Sequence, residues 1–132
     1  MAVEINWWGV VLAALSAFVV GGLWYSLLFA KPWQRAAGVT DEALRRGVIP
    51  AFVGTFVLSF VMAVALAAFI GPSGAAFGAL AGAIAGIAWV AAAFGVTYLF
   101  ERRGVTLFLI NGGYNALTFT AMGAIVGAFQ AG

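Results

Sequence analysis

The chain has 132 residues, 65% of them hydrophobic and 8% charged, with a net charge of +2 and a mean hydropathy of +1.12. A soluble domain carries about a quarter charged residues, so this composition cannot coat a water-facing surface and points to lipid as the solvent. The absence of Cys and His excludes disulfides, thiolate nucleophiles and the commonest metal ligand, and no metal site or cofactor is expected.

The predicted fold is all-α: a polytopic integral membrane protein, a four-transmembrane-helix bundle forming one domain over residues 1–132. The opening stretch carries Glu4 and no base. It is therefore not expected to be a cleaved secretory signal, which begins basic. Span one is expected over residues 7–29, span two over 50–70, span three over 76–100 and span four over 106–129. Each is a charge-free apolar run of roughly 20 residues or more, enough to cross about 30 Å of hydrocarbon. The runs are continuous, not alternating, which favours helices over barrel strands.

Between spans one and two, Pro32 suits the first turn of a short helix that Gly38 would end. Thr40 reads as the N-cap of another, with Asp41 and Glu42 in its first turn. This loop is expected to be helical and to lie at the membrane interface. Gly71, Pro72, Ser73 and Gly74 form a tight turn between spans two and three.

The basic residues set the orientation. Lys31, Arg35, Arg45 and Arg46 lie in the first loop, and Arg102 and Arg103 in the third. All six fall on one side, which the positive-inside rule makes cytoplasmic, leaving both termini outside (N-out/C-out). A bacterial inner (plasma) membrane is the expected location. Beside apolar spans, these charges are no nucleic-acid footprint.

Small residues recur at one-turn spacing. Gly78, Gly82 and Gly86 continue a series from Gly74 in span three, with Ala75, Ala79 and Ala83 beside it; span four offers Gly123 and Gly127. Such stripes let helices pack closely where lipid removes the hydrophobic drive. They are read as packing within the bundle, or as the seam of a homo-oligomer, with a dimer favoured.

Polar side chains gather in the cytoplasmic half. Trp24, Tyr25, Thr97, Asn111, Tyr114 and Asn115 are the candidate ligand-binding layer, while Gly112 and Gly113 would let another backbone approach. One reading is structural: Asn111 and Asn115 hydrogen-bond across helices. The other is a cytoplasm-facing vestibule for a small polar or amphipathic ligand.

Two clusters resemble a known family. Asn6-Trp7, Gly22-Leu23-Trp24-Tyr25-Ser26, Phe29, Trp33 and Gly38 resemble the N-terminal signature of domain of unknown function 1761. Asn111-Gly112-Gly113-Tyr114 and Gly123 resemble its C-terminal signature. The family often has Pro after Trp-Tyr-Ser and Gly before the lysine, where this chain has Leu27 and Ala30. No proline-driven kink is therefore expected at the end of span one. The resemblance implies the four-span layout and no activity.

The functional expectation is a non-enzymatic, oligomeric membrane protein that binds lipid or a partner. The alternative is a small transporter or facilitator of a polar or amphipathic solute. Proton-coupled export through a carboxylate in span one is disfavoured, because that span has none. Catalysis is not expected: no base, nucleophile or metal set stands in register.

Overall fold

The computed structural model describes residues 4–131, and every regular element among them is helical. The elements are α1 (Trp7–Leu28), α2 (Ala30–Ala37), α3 (Asp41–Arg45), α4 (Val48–Ile70), α5 (Ala75–Glu101) and α6 (Val105–Gln130). Helices α1, α4 and α5 are long and apolar enough to cross a membrane. Helix α6, with 26 residues, reaches about 39 Å at ~1.5 Å per residue. Asn111, Tyr114, Asn115 and its glycines dilute its apolar character, and its position explains how it tolerates them. It packs against α1, α4 and α5 at once, so its polar groups face protein.

Local chemistry sets the ends. Asn6 caps α1, its Oδ1 accepting from the Gly9 N–H at 3.0 Å. Gly38 ends α2 in the left-handed region (φ 72°), and its N–H and that of Val39 both reach the Gln34 carbonyl. Thr40 caps α3 through the Ala43 N–H at 3.1 Å. At the end of α5 it is Arg102, not Gly104, that takes the left-handed conformation (φ 61°), while the Arg103 N–H closes on the Tyr98 carbonyl. Gly104 is extended and leads into α6.

The end of α1 widens, and the chain bends at Phe29, without proline. Over Leu23–Leu28 its hydrogen bonding widens to π-helical spacing, and the Phe29 N–H bonds the Trp24 carbonyl at 2.8 Å before the chain turns into α2. A second π-helical stretch, Ala85–Ala91, interrupts α5.

The closest packing joins α5 to α6. A Cβ at Gly78 would collide with the Gly123 carbonyl, and one at Gly82 with that of Phe119. At Gly86 it would stand 2.9 Å from the Asn115 carbonyl. Conversely, a Cβ at Gly123 would meet Gly78, and one at Gly127 would meet Gly74. The glycine face of α5 is thus filled by α6 of the same chain and is not open to a second copy. Of the neighbouring alanines, Ala75 is exposed, and Ala79 and Ala83 are half-buried.

Helices α1 and α4 meet through rings instead. Phe18 lies 6.2 Å from both Phe52 and Phe56, and Trp7 stacks on Phe60. The dry core sits at one end, where Val10, Ala13, Ala63, Ala67, Met122 and Val126 have no exposed surface. At this end Gln130 donates to the carbonyls of Ala67 (3.0 Å) and Gly71 (3.1 Å) and accepts from the Asn6 N–H (3.1 Å). One amide thereby joins α1, α4 and α6; it satisfies the Gly71 carbonyl beyond the helix end, while the Ala67 carbonyl also accepts from the Gly71 N–H. At the opposite end the bundle loosens. Over the first turns of α4, Ile49, Phe52, Val53, Val57 and Leu58 are all exposed.

Candidate functional site

The looser end carries the charges. Lys31 and Arg35 on α2, Arg45 and Arg46 around the end of α3, and Arg102 and Arg103 after α5 are all exposed. Arg103 Nη1 donates to the Ala37 carbonyl at 3.3 Å, bringing the two basic segments together. Asp41, also on this surface, accepts from Gln34 Nε2 at 2.8 Å. That hydrogen bond, then the nearby Lys31, holds its carboxyl below the ordinary value of 3.8.

Just inside this end, the Asn111 amide joins two helices to α6. The Tyr25 hydroxyl donates to Asn111 Oδ1, and Asn111 Nδ2 donates to the Tyr98 oxygen at 2.7 Å. The π-helical turn of α1 presents Trp24 and Tyr25 together to α6. Trp24 Nε1 donates to the Ile110 carbonyl at 2.9 Å, and its ring lies where a Cβ at Gly113 would stand 2.9 Å from Cζ2. Gly112 receives the Ala91 side chain. Both glycines therefore admit side chains, not a neighbouring backbone. Tyr114 donates to the Ala17 carbonyl at 3.4 Å, and its ring centroid is 5.1 Å from that of Tyr25.

Two residues of the expected layer stand apart. Thr97 is exposed on α5, and its hydroxyl makes no hydrogen bond among the described residues. Asn115 bonds within its own helix, Nδ2 to the Asn111 carbonyl at 2.8 Å. This is an intrahelical i to i−4 bond, so the cross-helix role falls to Asn111 alone.

Two cavities flank this network. The larger, about 560 Å³, lies between α1, α4 and α6, with α2 and α3 at its basic end; its walls include Phe18, Tyr25, Trp33, Phe52, Thr55 and Tyr114. The smaller, about 210 Å³, lies between α5 and α6 and is lined by Tyr98, Arg103 and Phe108. Tyr25 borders the first and Tyr98 the second, so the Asn111 amide connects them. The Tyr25 ring stands edge-on to Trp33, with centroids 5.4 Å apart. A volume of several hundred Å³ with mostly apolar walls and a few placed polar groups is the usual form of a small-molecule site.

The polar pattern alone does not point to Phe18, Phe52 or Gln34. Phe18 and Phe52 enter the wall where α1 and α4 meet through their rings. Gln34 turns inward on α2 while Lys31 and Arg35 stay in solvent. The Asn6 cap was legible in principle, as an Asn immediately before an apolar run.

A protein-family model described as "Protein of unknown function (DUF1761)" matches residues 8–127. No curated protein and no solved structure matches the chain. The matched stretch spans all four long helices and both cavities, and the chain belongs to the DUF1761 family.

Proposed function

We propose that this is a four-span, non-enzymatic membrane protein that holds an amphipathic molecule in the cavity between α1, α4 and α6. The carrying observation is the contrast between the two ends of one bundle: a sealed alanine and glycine core at one, and a cavity of about 560 Å³ at the other. In this reading α6 is the fourth span. Its polar side chains would be costly in lipid but are here bonded to protein. The basic end faces the cytoplasm, which places both termini outside. Helices α2 and α3 then lie at the inner interface, and the cavity opens toward the inner leaflet beside the exposed start of α4.

An amphipathic ligand fits this position. The phenyl rings suit an apolar body, and the hydroxyls near the interface suit a polar head. Passage of a solute across the membrane would require the outer core to open. The dry packing of Val10, Met122 and Val126 therefore favours holding over conduction. A homo-oligomer, if assembled on this surface, would be built from lipid-facing side chains such as Leu80, Ile84 and Trp89.

The test is mass spectrometry of protein extracted gently from its membrane. A co-purifying amphipath is expected with the wild type and absent after Gly22→Phe, since Gly22 lines the cavity with open space beside it. Equal recovery from both proteins would refute the cavity as the binding site. Orientation has its own check: single cysteines at positions 45 and 73 should label from opposite sides.

A further inference from the structure

We infer that the larger cavity selects an apolar amine in its ammonium form, an inference that rests on the cavity being a ligand site. The argument comes from counting donor hydrogens. The Tyr25 hydroxyl gives its proton to Asn111 Oδ1, and the Tyr114 hydroxyl gives its own to the Ala17 carbonyl. Thr55 Oγ1 donates to the Ala51 carbonyl at 2.6 Å. Both amide hydrogens of Gln34 are taken, one by Asp41 Oδ1 and one by the Val39 carbonyl.

Four of the polar side chains on the cavity wall thus keep only lone pairs to offer. Ser26 can accept as well as donate, and only the Trp33 indole is an obligate donor. A ligand matching this wall must bring hydrogens.

Two further features choose a cation over a neutral donor. The walls include the aromatic residues Phe18, Tyr25, Trp33, Phe52 and Tyr114, and aromatic rings attract cations. No charged side chain lines the cavity, and a carboxylate stands among the basic groups outside its wall. The Asp41 carboxylate holds Gln34 from outside and, like Lys31, Arg35 and Arg45, is itself exposed to solvent. An anion would meet lone pairs and aromatic rings and find almost no donor. An aryl- or alkylammonium would meet acceptors at its head and rings along its body.

The experiment uses the full chain in phosphatidylcholine nanodiscs, with empty discs as the partition blank. Three probes of one shape are titrated calorimetrically: 3-phenylpropylammonium, 3-phenylpropanol and 3-phenylpropanoate. The ammonium is expected to bind about tenfold more tightly than the alcohol, the ratio that a ring-face contact of ~1–2 kcal/mol supplies, and the carboxylate most weakly. Thr55→Val, which removes one wall acceptor bonded only within its own helix, should weaken the ammonium about threefold and the alcohol less, since it has one hydrogen to donate against three. Gly22→Phe should abolish binding of all three.

Alcohol or carboxylate binding that equals the ammonium and is lost in Gly22→Phe would overturn amine selection and leave the cavity reading intact. Absence of any Gly22→Phe-sensitive binding overturns amine selection; if the co-purifying amphipath is also indifferent to that substitution, the cavity reading goes with it.

Discussion

Gly78 of α5 and Gly123 of α6 lie backbone against backbone, each occupying the space where the other's Cβ would be. The contact holds the last two long helices together where lipid offers no hydrophobic drive. Gly78→Ala should therefore destabilise the bundle by about 1–3 kcal/mol, the usual cost of overpacking. Gly54, also within a long helix, has nothing within 4 Å of its Cβ position. Gly54→Ala should be neutral or stabilising by up to about 1 kcal/mol. Unfolding in mixed detergent micelles compares the two, and equal stability of both variants would remove the glycine seam from the account.

The two asparagines of α6 should respond differently to the same substitution. Asn111→Leu strips Tyr25 of its acceptor and Tyr98 of its donor. The expected loss is about 1–2 kcal/mol for two interhelical bonds of membrane strength. Asn115→Leu breaks only a bond to its own helix and should cost less than about 0.5 kcal/mol, since the leucine is also a better helix former. A larger loss at Asn115 would contradict the assigned geometry.

Gln130 makes three contacts at the sealed end, and Gln130→Leu should release them together. The Gly71 carbonyl and the Asn6 N–H lose their partner, and the Ala67 carbonyl keeps only the Gly71 N–H, an effect of about 1–3 kcal/mol. Amide hydrogen exchange is the sensitive measure: the Asn6 N–H should exchange faster, while amides near Asn111 are unaffected. Unchanged protection at Asn6 would count against the clamp.

The loop that holds α2 and α3 should loosen in acid. Asp41 has a lowered pKa, chiefly because Gln34 donates to its carboxylate and secondarily because of Lys31. A depressed folded-state value means the contribution is present above the unfolded value, near 3.8, and is lost as pH falls through the lower folded one. Asp41 is fully exposed, so the effect is local. Cleavage between Gly38 and Arg46 by an acid-active protease should quicken below pH ~4, and Asp41→Asn should remove that dependence. A rate indifferent to pH in the wild type would rule out the Asp41–Gln34 contact as the loop's fastening.

Much of the architecture follows from local rules. Charge-free runs gave the long helices to within a few residues, and Gly38 and Thr40 act where backbone chemistry places them. The network is legible only in part. Trp24, Tyr25, Asn111 and Tyr114 do come together, because they share a depth and can reach one another across helices. Thr97 does not, because depth alone says nothing about which way a residue faces on its helix. Gln130 was not legible at all: its role arises from three helix ends meeting, a long-range fact carried by no short pattern. The bend after α1 was likewise hidden, since a π-helical turn has no single-residue marker comparable to proline.

The Asn6–Gln130 contact also makes neighbours of the first and last helices. A short linker joining residues 6 and 130, with the chain reopened at Pro72, would give a circular permutant that preserves every helix neighbour and the sidedness of both new ends. The order in which the helices are synthesised would change while their arrangement would not, so insertion history and final fold become separable variables in one molecule.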